Sequence, residues 1–312
     1  MNFNKLNFRW VVVLVSLSAF VGCSYDRYHE IMWIGAFLID SITVGAVNID
    51  YYYTTKQFGM DGSTDLKDVN MNLVKYDLKT NTTHDVACME KDLSDPTVGA
   101  GSVKYQRPWV AYNCDRGGIL QLVVFNMETG QKTVLFSGSS APPIMFSKNC
   151  KYFLTGGNSS FKIFDMTQQK LAVKFRSDLS MPIYIDEDSN YLFMNNDTNG
   201  LLKFSIPQGQ FVPFASKIGN LKDWQSVDLI DYGNAVQLFK WYQGESPEKA
   251  YFTTIELLDD SITLKKLNQD ITYSDLDLKT GNAVDRGAGI IIKNIYGKFE
   301  PKTIFTSSKE KL

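Results

Sequence analysis

Residues Met145–Phe175 read MFSKNCKYFLTGGNSSFKIFDMTQQKLAVKF, and the stretch holds two phrases that return along the chain. The first, IFDMTQQK (Ile163–Lys170), is an apolar residue, a polar one, another apolar one, then a turn rich in Thr, Gly or Gln. The second, MFSKNCKYFL (Met145–Leu154), is a strand, a polar turn and a further apolar strand. Copies of the first are KYDLKTNTT (Lys75–Thr83), VFNMETGQK (Val124–Lys132) and KFSIPQGQ (Lys203–Gln210), with weaker ones at TIELLDDS (Thr254–Ser261) and NIYGKFEPK (Asn294–Lys302). The central polar residues are Asp77, Asn126, Asp165, Ser205, Glu256 and, roughly, Ile295. Copies of the second lie between them: FLIDSITVGAV (Phe37–Val47), KYQRPWVAYN (Lys104–Asn113), YIDEDSNYLFM (Tyr184–Met194), LIDYGNAVQLF (Leu229–Phe239) and LDLKTGNAV (Leu276–Val284).

Two phrases interleaved at one spacing are harder to produce by chance than one. Steps of about 40 to 50 residues are the period of four-stranded propeller blades. Locally the units read as strands, since runs such as GGILQLVVFNM are rich in β-branched and aromatic residues and bounded by Gly, Asn or Asp. No segment after the first 22 residues offers a helical period over three turns. The expected fold is all-β: a β-propeller of about six four-stranded blades over residues 31–306, or seven if the first unit is really two. A single small sheet cannot bury both faces, so stacking neighbours around an axis supplies the core. Two tandem β-sandwiches are the rival, and the regular phrase spacing argues against them. Thr54–Val69, polar and charged, reads as a loop inserted on one face of the disc. Ring closure is expected to join the C-terminal strand, Lys302–Thr306, to the N-terminal region.

Met145–Phe175 resembles a unit of the WD40-like or YVTN-type β-propellers, in which a phrase of the form FSPDGKYLA precedes one of the form KIWDLKTGK. Phe146, Ser147, Lys151, Tyr152, Phe164 and Asp165 match it, and Asn149-Cys150 stands where the pattern has Asp-Gly. No unit carries the Gly-His and Trp-Asp pair of strict WD40 repeats. The resemblance implies a disc whose variable turns carry recognition.

The N-terminus carries Lys5 and Arg9 and no acid, followed by an apolar run from Trp10 to Val15 that Leu17, Ala19, Phe20 and Val21 extend to Gly22. A basic start before a short apolar run is the pattern of a secretory signal, and the run is too short to span a bilayer comfortably. Phe20-Val21-Gly22-Cys23 resembles the lipobox of bacterial lipoproteins, with Phe20 where that pattern usually has Leu. The resemblance implies a signal peptide over 1–22, acylation of Cys23 and a short tether over 23–30; at the other end, past the propeller, 307–312 reads as a C-terminal tail. Ser24 after the cysteine implies delivery to the outer membrane of a two-membrane bacterium. The expected setting is therefore the bacterial envelope, with the membrane reached through the lipid on Cys23 and with other envelope proteins as partners.

The 312 residues have a formal net charge of -2, with Lys and Arg scattered in ones and twos, which excludes the concentrated basic face a nucleic-acid groove needs. With only His29 and His84, catalytic and metal chemistry is limited. His84 and Asp85 would point to opposite faces of a strand. Asp26, His29 and Glu30 offer a weak metal set, and there is no G-x-S-x-G elbow. No catalytic residues, metal or cofactor are expected. Cys88, Cys114 and Cys150 would meet an oxidising compartment after export, but buried inert thiols are the simpler reading and no disulfide is assigned. Aromatics are the best candidates for a recognition surface: Tyr51, Tyr52, Tyr53, Trp109, Trp224, Trp241 and Tyr242. Most propeller aromatics fill the space between blades, yet Tyr51–Tyr53 on a strand must place a ring on each face. The expected role is a protein-binding or scaffold module. The alternatives are a glycan or peptide hydrolase or lyase using funnel carboxylates, or a small-ligand sensor using the central channel.

Overall fold

The computed structural model describes residues 24–58, 61–91, 93, 103–138, 142–157, 159–186, 188, 190–196, 200–213 and 297–312. Between residues 213 and 297 it describes 230–232, 235–240, 251–256, 261–266, 275–277, 280–286 and 289–294. No helix occurs among the described residues, and the described strands form six sheets, five of them contiguous in the chain and the first joined by the last strand. Sheet one is β1(Ser24–Asp40), β2(Thr43–Phe58), β3(Asp61–Asp77) and β4(Thr82–Glu90). Sheet two is β5(Lys104–Gln106), β6(Trp109–Arg116), β7(Ile119–Asn126) and β8(Lys132–Ser137); sheet three is β9(Pro143–Phe146), β10(Tyr152–Gly157), β11(Ser160–Asp165) and β12(Lys170–Arg176). Sheet four is β13(Ser180–Ile185), β14(Tyr191–Asn196), β15(Gly200–Ser205) and β16(Gln210–Val212). Sheet five is β17(Ile230–Tyr232), β18(Ala235–Lys240), β19(Tyr251–Glu256) and β20(Ser261–Lys266). Sheet six is β21(Asp275–Asp277), β22(Asn282–Arg286), β23(Gly289–Asn294) and β24(Lys302–Thr306). A last strand, β25(Ser308–Lys311), pairs with β1.

Both recurring phrases have a structural counterpart. The second marks the turn between the first and second strands of each sheet, and the first marks the turn between the third and fourth. The polar residue of the first phrase closes the third strand and caps that turn. Asp77 Oδ1 accepts from the amides of Lys79 and Thr80, Asn126 Oδ1 from those of Glu128 and Thr129, and Asp165 Oδ1 from those of Thr167 and Gln168. These are Asx-type turns, which explains why Asp and Asn recur there. In the sixth unit the residue is Asn294, one position before the Ile295 expected, because its Oδ1 accepts from the Lys298 amide.

Strand alternation divides the apolar residues between two seams. On β6, Val110, Tyr112 and Cys114 join the core shared with sheet one, while Ala111 turns to the core shared with sheet three. On β10, Phe153 joins the seam with sheet two and Tyr152 and Leu154 the seam with sheet four. Trp33, Val44 and Tyr76 of sheet one pack on Val284, Ile290 and Phe305 of sheet six, so the last sheet meets the first. β5 lies beside β9, β17 beside β21 and β1 beside β21, which places the first strand of each of these sheets toward a common axis. The molecule is a β-propeller, with six sheets among the described residues. Each fully buried Leu, Ile or Phe in the seams contributes about 1.5–3 kcal/mol.

Four expectations are corrected here. Thr54–Val69 is not an inserted loop: β2 and β3 pair continuously from Thr43↔Asp77 to Phe58↔Asp61, with one bulge at Tyr52/Tyr53. Residues 24–30 are not a tether but the start of β1, paired from Ser24↔Gln57 onward. Residues 308–311, expected as a tail, form β25, running antiparallel to Tyr28–Ile31. Lys302–Thr306 meets sheet one through side chains, as ring closure requires, but as β24 it pairs within its own sheet, and the strand pairing between the chain ends is made by β25 instead. β4 pairs with β3 only from Met71 to Asp77, so the upper halves of β1, β2 and β3, with β25, project from sheet one as a separate ribbon. From Ser24 to Ile31 it is roughly 24 Å long at the usual strand rise.

Candidate functional site

The ribbon holds three of the seven aromatic residues singled out in the sequence, Tyr51, Tyr52 and Tyr53. Tyr28, Glu30, Tyr51 and Tyr53 share one face, and His29, Asp50 and Tyr52 the other, as the period of two requires. On the first face, the ring centroids of Tyr28 and Tyr53 are 5.3 Å apart and those of Tyr51 and Tyr53 5.6 Å apart. Tyr53 is buried, and its hydroxyl donates to Glu30 Oε2 at 3.2 Å. Burial, reinforced by Glu30, pushes the Tyr51 phenol above its ordinary range. β25 supplies the cations of this face. Lys309 Nζ lies 5.0 Å from the Tyr28 ring centroid and 5.4 Å from that of Tyr53, and Lys311 Nζ is 2.7 Å from Asp26 Oδ1.

On the second face His29 Nε2 lies 2.5 Å from Asp50 Oδ1, and the imidazole stacks on Tyr52 at 4.4 Å with 6° between the planes. Tyr52 remains 37% exposed. It is an aromatic ring fixed by its neighbour and open to solvent. His29 and Glu30 face opposite sides, so the local trio of Asp26, His29 and Glu30 does not converge; among the described residues no group of three His, Cys, Asp or Glu side chains is placed to hold a metal ion. His84 is exposed on β4, against the Thr82 hydroxyl.

Trp109 is half-buried at the start of β6 and packs against the seam of sheets two and three, so it belongs with the core. Cys23, Trp224, Trp241 and Tyr242 lie outside the described residues, as does the stretch 1–22. The three described cysteines are free thiols. Burial, aided by the Glu90 carboxylate, pushes the Cys114 thiol up to about 12, and burial alone pushes Cys150 up to about 11.

One group of residues was not visible in the sequence as a site. Glu90, at the end of β4, is buried between sheets one and two, and its carboxylate accepts from the Tyr112 hydroxyl at 2.8 Å, from Lys132 Nζ at 2.9 Å and from the Arg116 guanidinium. Its partners lie 22, 42 and 26 residues away, beyond the reach of any local motif. Beside it is a cavity of about 540 Å³.

No protein-family model and no curated protein matches the sequence. Solved structures with a similar fold include TolB from Acinetobacter baumannii, at 11% identity and a TM-score of 0.48 over 95% of this chain and 84% of that one. The β-propeller domain of the Trilobed protease from Pyrococcus furiosus matches at 10% identity and 0.47, over 88% of this chain and 83% of that one. A Pyrococcus horikoshii acylaminoacyl peptidase matches at 10% identity and 0.45 over 88% of this chain, which spans 46% of the peptidase. At these identities the likeness concerns the fold alone.

Proposed function

We propose that this chain is a lipid-anchored module of a bacterial envelope that binds another envelope protein through the ribbon of sheet one, with the propeller as its rigid platform. The observation that carries the reading is Tyr52, solvent-exposed yet held by stacking on His29. An aromatic already fixed in place loses little conformational entropy on docking, which is why such residues serve as interface anchors. The anchor rests on the basic start, the apolar run and Val21-Gly22-Cys23. Because Ser24 pairs with Gln57 near the far end of the ribbon, acyl chains on Cys23 would sit at that end, with the ribbon between membrane and disc. Several acyl chains hold a protein on a membrane essentially permanently.

Palmitate labelling of wild type and Cys23→Ala in cells tests the anchor, and a wild type without label removes it. For the partner, a photo-crosslinking residue at position 52 should give one discrete heavier species in the envelope, and the same residue at the exposed Phe211 of sheet four should not. Equal products from both positions, or none from either, would remove the ribbon as the binding surface. Recovery of a cleaved sugar or peptide, instead of a stable protein adduct, would favour the enzyme reading.

A further inference from the structure

The cavity between sheets one and two has the composition of an anion site, and it owes nothing to the ribbon or the lipid. Its polar lining comes from Glu90 and Lys91 after β4, Arg116 and Gly117 at the β6–β7 turn, and Lys132 at the start of β8. Three cations face one carboxylate, which leaves an excess of two positive charges on the wall. The burial of these groups is unequal. The Glu90 side chain is 1% exposed, while those of Arg116 and Lys132 are 45% and 33% exposed. Glu90 is therefore the fixed base of the arrangement, and the two cations lean from it toward solvent.

Glu90 is itself held by the Tyr112 hydroxyl, and Lys132 Nζ donates to the Met89 carbonyl at 3.0 Å as well as to Glu90. Both cationic heads are thus positioned before any ligand arrives. A guanidinium carries five donors in a planar fork and an ammonium three, so one carboxylate does not saturate the pair. Among the described residues no other carboxylate lies within ion-pair distance of Arg116 or Lys132. The Gly117 backbone adds room at the mouth: a Cβ built there would meet nothing within 4 Å. The volume of about 540 Å³ falls in the usual range for small-molecule pockets, about 300–1,000 Å³.

We propose that this cavity binds a small molecule through an oxyanion, a carboxylate or phosphate group, seated on Arg116 and flanked by Lys91 and Lys132. Glu90 acts as a positioning residue: it sets the direction of the cations and lowers their excess charge, so that the site favours one small anion.

Calorimetric titration of the full chain with inorganic phosphate, with glucuronate and with neutral glucose tests this. Saturable binding of phosphate or glucuronate, absent for glucose, is expected, and the better of the two acids identifies the group recognised. Arg116→Gln and Lys91→Gln should each weaken that binding at least tenfold, whereas Lys67→Gln, on the ribbon, should leave it unchanged. Lys91 is exposed, and the ion pairs that hold Glu90 are those of Arg116 and Lys132, so its replacement reports on the ligand even if Arg116→Gln loosens the seam. No saturation with either acid, or saturation that survives both substitutions, would overturn the proposal.

Discussion

Tyr52 and Tyr53 are neighbours with opposite duties, and the difference is measurable. Tyr53 is 7% exposed, stacks on Tyr28 and Tyr51 and donates to Glu30, so Tyr53→Ala should cost about 3–5 kcal/mol in urea unfolding. Tyr52 loses only its stacking on His29, worth about 1 kcal/mol, so Tyr52→Ala should leave a folded protein that no longer docks. Equal losses would mean that the second face of the ribbon is core and not a surface. Cys114 gives a pH test. Its folded thiol, raised to about 12, keeps its proton where an unfolded thiol near 8.5 has lost it. The native state then binds more protons than the unfolded one, so the contribution of Cys114 is complete below about pH 8.5 and falls as pH rises toward 12. The stability gap between wild type and Cys114→Ala should narrow by about 1–2 kcal/mol between pH 8.5 and 10; a constant gap would contradict the burial of that thiol. At this scale the sequence is legible where backbone geometry imposes a residue type. Cys150 sits at φ 56°, the conformation for which the matching repeat pattern carries Gly, and Asp77, Asn126 and Asp165 are legible because turn amides need an acceptor.

Inner strands of the disc such as β6, β7 and β10 announce themselves because neighbours cover both their faces, which demands apolar residues at most positions. The ribbon lacks that signal for a physical reason. Water wets much of it on both faces, so Asp61–Asp68 carries Ser, Thr, Asp and Lys with no alternation, the same composition a loop would have. Its edge residues Asp65, Lys67 and Asp68 are also what an open strand edge uses against unwanted pairing. For the same reason Ser308–Lys311 reads as a tail, although it is a strand. A truncation ending at Ser307 isolates its contribution. It removes the pairing with Tyr28–Ile31, the cation over Tyr28 and Tyr53, and the Lys311–Asp26 pair, a solvent-screened contact of little weight. The truncated chain should stay folded, with only a small drop in its urea midpoint. Amides of residues 28–31 should exchange about tenfold faster while those of β6 and β10 keep their protection. Global unfolding after the truncation would mean that β25 is a closing strand of the disc and not a brace of the ribbon.

The ring as a whole raises the question of what keeps its first and last sheets together. Strand pairing joins the chain ends where β25 enters sheet one beside Tyr28–Ile31, in the ribbon, while among the described residues the strands of sheet six pair only with one another within the disc. Closure falls to side chains at the seam of sheets six and one. Phe305 stacks on Trp33 at 4.2 Å and meets the edge of Tyr76 at 5.8 Å; Lys302 Nζ reaches Asn81 Oδ1 at 2.6 Å and the Tyr76 hydroxyl at 2.9 Å; Asn282 Nδ2 donates to the Ser41 carbonyl at 2.8 Å. Packing of this kind is lost a seam at a time, unlike a hydrogen-bonded ladder that crosses the join. Phe305→Ala should therefore cost about 3 kcal/mol and act locally. Native-state hydrogen exchange should show faster opening of β22 and β23 with little change in β6 or β10. Phe153→Ala, which empties a fully buried position between sheets two and three, should instead cost about 3–5 kcal/mol and lower protection in the sheets on both sides of that seam. A Phe305→Ala protein whose six sheets lose protection together would show that the ring is one cooperative unit, with closure held by something other than this seam.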